Sequence, residues 1–111
     1  MPDDKTGWIK VAASPDEINF GSNNISEVLV GGKPVCIARW HNTYFAFTST
    51  CPHAGGRFAQ GFIDVLGNVV CPLHRYKFCL NNGHNVSGEG YRLKRWPLKI
   101  ENGIYINFGM L

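Results

Sequence analysis

Residues 50–80 read TCPHAGGRFAQGFIDVLGNVVCPLHRYKFCL, and two short clusters inside them, Cys51-Pro52-His53 and Cys71-Pro72-Leu73-His74, decide how the chain is read. Each cluster offers one thiolate and one imidazole. Residues 54 to 70 separate them, a length that suits two loops folding toward each other from neighbouring hairpins. Four soft or borderline ligands on one site could hold a tetrahedral zinc ion, or a [2Fe–2S] centre in which two histidines replace two cysteines on one of the irons. Ligand order separates the two. Zinc sites usually pair like with like, whereas here each loop gives one ligand of each kind.

Cys-x-His followed by Cys-x-x-His at this spacing, with proline after each cysteine, resembles the Rieske family closely. Gly55-Gly56 and the Asn82-Gly83 turn add to the likeness, which runs from about residue 6 to residue 108. The resemblance implies an all-β, Rieske-type fold: an antiparallel β-sandwich with a small cluster-binding subdomain of two ligand loops. It implies a single domain over residues 1–111, with the subdomain at 45–90, and one Rieske-type [2Fe–2S] cluster. Cys51 and Cys71 would bind the inner iron, and His53 and His74 the outer iron at an exposed tip.

Charge explains the use of such a centre. Two ferric ions, two sulfides and two thiolates sum to zero, whereas four thiolates would leave a dianion. An electron is therefore easier to add, and potentials fall at roughly −150 to +300 mV. High-potential members of the family carry a serine two residues and a tyrosine four residues after the second histidine, and a disulfide between the loops. This chain has Tyr76 and Phe78 at those positions, and Gly56 and Leu73 where the bridging cysteines would stand. The likeness is to low-potential Rieske ferredoxins, with a potential expected near the low end of the range.

Composition sets bounds. A chain of 111 residues, 44% hydrophobic and 17% charged, has material for one domain with one modest core. No run approaches the roughly 18 apolar residues of a membrane span, and Met1 to Gly7 lacks the apolar segment of a signal peptide, so a soluble, cytoplasmic protein is expected. A net charge of +3, scattered, gives no footprint for nucleic acid. Cys36 and Cys79, in strand-like runs, are expected as buried thiols rather than a disulfide.

Along the chain, Thr6 to Ala12 alternates as a first strand, residues 13 to 24 form a loop, and Ile25 to Val30 and Pro34 to Trp40 make a hairpin about Gly31-Gly32. A turn at His41-Asn42-Thr43 leads into Tyr44 to Thr48, which delivers the chain to a first ligand loop at Ser49 to Gly61. Gly67-Asn68 is expected to turn between Phe62-Ile63-Asp64-Val65 and Val69-Val70. Tyr76 to Leu80 is a strand, Ser87-Gly88-Glu89-Gly90 a third loop without the family's proline and so a looser cover. Tyr91 to Ile100 and Ile104 to Phe108 pair across Asn102-Gly103, a type I′ signal. No helical period of useful length is present. Trp8, Trp40, Trp96, Tyr44, Phe45 and Phe47 are expected to build the core. His41 and His84 sit in turns, where solvation is the ordinary reading; Arg57, Arg75 and Lys77 flank the ligand loops, where they read either as a basic docking rim or as ordinary solvated charges.

Three functions fit these features. The first is a stand-alone one-electron carrier that feeds an oxygenase from a flavin reductase and has no catalytic residues of its own. The second is the small Rieske-like subunit of an assimilatory nitrite reductase. Several such subunits lack the ligands, whereas this chain keeps all four. The third is a metal-stabilised interaction module or redox sensor.

Overall fold

Val35-Cys36-Ile37-Ala38 is a short unbroken apolar run, the signature of a strand covered on both faces, and all four residues are fully buried. The computed structural model describes residues 7–52 and 55–109; His53 and Met1 to Thr6, on which part of the ligand set and the leader reading rest, lie outside them. Among the described residues the strands are β1 Trp8–Ala12, β2 Ile25–Val30, β3 Lys33–Trp40, β4 Thr43–Thr48, β5 Phe62–Ile63, β6 Asn68–Val70, β7 Lys77–Cys79, β8 Arg95–Trp96, β9 Leu98–Ile100 and β10 Ile104–Asn107. They form antiparallel sheets ordered β1-β10-β9, β2-β3-β4-β8 and β5-β6-β7. Helical geometry among these residues is limited to 3₁₀ turns at Pro15–Glu17 and Phe58–Gln60. Among the described residues no helix is long and apolar enough to cross a membrane.

The four-stranded sheet is the middle layer. Because side chains alternate along a strand, Val35 and Ile37 of β3 and Ala46 of β4 face one way, where they meet Trp96, Ile104 and Ile106 under the β1-β10-β9 sheet. Cys36, Ala38, Phe45 and Phe47 face the other way, onto Phe58, Val69, Phe78, Leu80, Cys51 and Cys71. The single modest core expected from composition is thus two cores, one on each face of the central sheet. Phe47, Phe58 and Phe78 stack edge to face, with ring centroids 5.6 and 5.9 Å apart, a geometry that adds to the area they bury.

The hairpins follow the sequence with three differences. Val30 pairs with Lys33, so Gly31 and Gly32 form a two-residue turn with φ of 60° and 83°, the left-handed pair that a type I′ turn needs. His41 and Asn42 do the same at φ of 52° and 62°, which leaves Thr43 inside β4. The first difference is at Asp64. Its carboxylate accepts the N–H groups of Leu66 and Asn68, both at 3.0 Å, which ends β5 at Ile63 and starts β6 at Asn68, so the turn is Asp64 to Gly67. The second is at the last hairpin: Ile100 pairs with Ile104, giving a three-residue connection with Gly103 at φ 144° in place of type I′. The third is at Pro97, which has no N–H to donate. It splits Tyr91 to Ile100 so that β8 stays in the middle sheet and β9 joins the outer one.

Among the expected core aromatics, Phe45, Phe47 and Trp96 are buried, while Trp8, Trp40 and Tyr44 are half-buried. The ammonium of Lys33 lies 4.9 Å from the Trp96 ring. Cys36 is buried as expected, but Cys79 is half-buried, and neither is in a disulfide. His41 and His84 are exposed in their turns.

Two outcomes test this layering. Phe78→Ala removes the end of the aromatic stack and should lower unfolding free energy by about 3–5 kcal/mol, read by denaturant titration; a loss within about 0.5 kcal/mol, typical of surface positions, would contradict its place in the core. At Asp64, burial alone would raise the carboxyl, but the Asn68 N–H and amide, the Leu66 N–H and Lys77 together outweigh it and hold the group below 3.8. A carboxyl lowered on folding stabilises above its unfolded value and loses that contribution as pH falls through the folded one. The stability gap between wild type and Asp64→Asn should therefore narrow as pH drops below 3.8, and a gap independent of pH would refute the charge effect.

Candidate metal centre

The first ligand loop leaves the central sheet and the second lies within the β5-β6-β7 sheet, between β6 and β7. The first leaves β4 at Ser49, runs through Cys51, and returns to an isolated bridge between Thr50 and Arg57, with Phe58 N–H donating to the Ser49 carbonyl at 3.0 Å. Inside it, Cys51 N–H donates to the Gly56 carbonyl at 2.8 Å and Gly55 N–H to the Cys51 carbonyl at 3.2 Å. The second loop leaves β6 after Val70 and closes where Cys71 N–H donates to the Tyr76 carbonyl at 2.9 Å. Short backbone bonds across the mouth of each loop fix the direction of its cysteine.

The two cysteines come together and both are buried. Burial pushes the Cys71 thiol up to about 11; the Leu73 N–H, 3.4 Å from its sulfur, works against that, and the adjacent Cys51 sulfur adds to the rise. The raised Cys71 thiol keeps its proton until a cation replaces it, and metal binding then releases that proton. Gly56 packs against this pair: a Cβ there would stand 2.6 Å from the Cys71 sulfur and 3.0 Å from Leu73 Cβ. The cradle admits hydrogen only.

His74 is at the surface, unlike the thiols. It and Arg75 are consecutive non-glycine residues in the left-handed region, at φ of 68° and 60°. Such conformations cost of order 1–3 kcal/mol each and persist where surroundings over-determine them. Among the described residues no three His, Cys, Asp or Glu side chains converge on one ion. The split into two buried thiols and an outlying imidazole suits a centre with two separate metal positions. The donor set fits a [2Fe–2S] group ligated by thiolate on one side and imidazole on the other.

A sequence profile of the Rieske [2Fe-2S] domain matches residues 7–97. The chain belongs to that family. Its cofactor is the Rieske-type [2Fe–2S] cluster. This Rieske domain is 28% identical over 74 residues to the 3-phenylpropionate/cinnamic acid dioxygenase ferredoxin subunit of Photorhabdus laumondii, covering 65% of this chain and 70% of that protein. Among solved structures it is similar to a chain from the complex of reduced oxygenase and oxidized ferredoxin in carbazole 1,9a-dioxygenase, with TM-score 0.74, 25% identity and coverage of 92% and 94%. The ferredoxin of carbazole 1,9a-dioxygenase from Nocardioides aromaticivorans IC177 shares the fold at TM-score 0.74 and 18% identity, with coverage of 90% and 95%.

Around the Rieske centre the expected basic rim is largely neutralised. Arg57 is paired with Glu27, and Lys77 lies 3.9 Å from Asp64. Arg75 is exposed and makes no ion pair among the described residues. The third loop is better tied down than its glycines suggest. The buried Asn85 amide reaches the Lys77 carbonyl, Ser87 Oγ and Glu89 Oε1 at 3.0, 3.1 and 3.0 Å, and Glu89 N–H donates back to it at 2.6 Å. Tyr76 lies between His74 and Tyr91 at centroid distances of 6.3 and 6.0 Å. Desolvation first, then Glu89, hold its phenol above the ordinary 10.0, so it carries its proton. Phe78 is core and offers the cluster no donor.

Gly56→Ala provides the test of the cradle. Iron and sulfide per chain should fall to a small fraction of wild type, by direct assay of the purified protein, because the added methyl overlaps the sulfur. Full cluster content in that variant would mean the loops do not meet as described.

Proposed function

We propose that this Rieske domain is a one-electron carrier that hands electrons from a flavin reductase to an oxygenase, works in the cytoplasm, and performs no turnover of its own. The observation that carries this reading is the division of the site: two thiols sealed from water beneath a surface imidazole. Cys51 and Cys71 would hold the inner iron, and His53 and His74 the outer one. When bound, the cluster would take up and give back one electron, passing between a neutral diferric form and a form one charge more negative.

The chain's own residues then do three things. The buried pocket of Phe58, Val69 and Phe78 excludes water behind the thiols. The Leu73 N–H donates to Cys71 sulfur, and bonds of this kind stabilise negative charge there and set the potential. His74, presented by its left-handed turn, brings the edge of the site to the surface, where a docked protein is nearest. The names borne by the similar proteins support the oxygenase end of this chain of transfer. Residues 1–111 act as one domain, and residues 45–90 as its cluster-binding part, of which Phe45 to Thr48 belong to the central sheet.

With Phe78 lacking a hydroxyl and no loop disulfide, the midpoint should lie near the low end, roughly −150 mV. Purified protein should be reddish brown with two irons and two sulfides per chain, and a rhombic EPR signal on reduction. Colourless protein holding one zinc would refute the reading. Docking is expected through the His74 tip with Arg75, exposed beside it, as a contributing cation. Arg75→Glu should slow stopped-flow transfer to an oxygenase at low salt with the absorbance spectrum unchanged, and the difference should fade once the Debye length falls below about 10 Å. Equal rates for both forms at every salt concentration would remove Arg75 from the docking face.

A further inference from the structure

We infer that Asn23, Glu27 and Cys36, from the central sheet and its approach, are positioning residues that hold the first ligand loop at the height the cluster requires. All three reach the same short segment, Arg57 to Gly61. The Asn23 amide donates to two carbonyls, those of Ala59 and Gly61, each at 2.9 Å, while its oxygen accepts the Ile25 N–H at 3.2 Å and so ties the grip to the start of β2. Glu27, on β2, pairs with Arg57. Cys36, on β3 and fully buried, belongs to the cluster against which Ala59 packs.

The gripped segment leads straight to the site. Arg57 is bridged to Thr50, next to Cys51, and is next in sequence to Gly56, whose backbone accepts the Cys51 N–H and packs against the Cys71 sulfur. Moving residues 57–61 therefore moves both the Cys51 loop and the wall against Cys71. Polarity underlines the purpose. One Glu27 oxygen, Oε1, is buried without a hydrogen-bond partner, an arrangement that costs free energy unless the charge serves its partner. In a domain that needed only to pack, an apolar residue at position 27 would do better. The inference rests on the carrier reading, since a grip on this loop matters only if the loop holds a cluster.

The test uses the holoprotein, with cluster loss to an excess of iron chelator followed by absorbance and the reduced centre followed by EPR. Asn23→Ala leaves two carbonyls without their donor and should bleach roughly tenfold faster, with broadened EPR features from scattered ligand geometry. Glu27→Arg and Arg57→Glu should each speed bleaching roughly two- to fivefold, the reach of a partly exposed ion pair. Their combination, Glu27→Arg with Arg57→Glu, should bring the rate back toward wild type. Wild-type bleaching and sharp wild-type EPR in Asn23→Ala would overturn the inference, as would a charge-swapped protein no slower than its faster parent. Should Asn23→Ala fail to accumulate folded, the charge-swap cycle decides alone. Wild-type protein without iron and sulfide would instead sink the carrier reading, a result distinct from either.

Discussion

Burial of the central sheet on both faces is the constraint from which the other features follow. A strand with one wet face could alternate apolar and polar residues, but β3 cannot, and its unbroken Val35-Cys36-Ile37-Ala38 run commits the chain to covering it twice. The outer sheet supplies one cover and the ligand-bearing layer the other. The second cover is short of regular structure, with strands of two and three residues, so its order comes from the sheet beneath. Phe47 reaches out of β4 to Phe58 in the first ligand loop, and Phe58 reaches Phe78 behind the second. Both loops thereby rest on one aromatic stack anchored in the most buried part of the molecule.

A site built this way separates two demands that conflict on a single surface. Thiolate ligands and their cluster need a dry, rigid pocket, while transfer to another protein needs proximity to the surface. Under the proposed ligand set, Cys51 and Cys71, both buried, would meet the first, and His74 on an exposed, left-handed turn would meet the second. The strain of two such residues in succession is tolerated because the Cys71–Tyr76 backbone bond closes the loop around them.

Much of this was legible in the sequence because it is local. Hairpins at Gly31-Gly32 and His41-Asn42, the absence of long helices, and the ligand spacing are all written within a few residues. What escaped depends on side chains meeting across the fold. Asp64 reads as a strand residue until its carboxylate is seen collecting two backbone amides. Asn85 reads as a loop residue, although its amide is the hub of the third loop, and the only clue nearby is Ser87 and Glu89 at alternate positions. Asn23 bonds a carbonyl 36 residues away, a partnership that no pattern in residues 13 to 24 announces. The ion pairing of the basic residues escaped for the same reason: Arg57 and Lys77 carry charge in the sequence, but their carboxylate partners arrive from β2 and from the Asp64 turn.

The pairing of β1 with β10, Trp8 opposite Asn107, has a consequence for joining this domain to other proteins. Both strands lie in the outer sheet, separated from the thiols by the whole central layer. A linker attached beyond either strand would start from the back of the molecule and leave the His74 tip clear. A tethered partner could then reach the tip at an effective concentration set by the length and stiffness of a linker long enough to span the molecule. Fusion at one end or the other should be nearly equivalent, since the two strands run side by side.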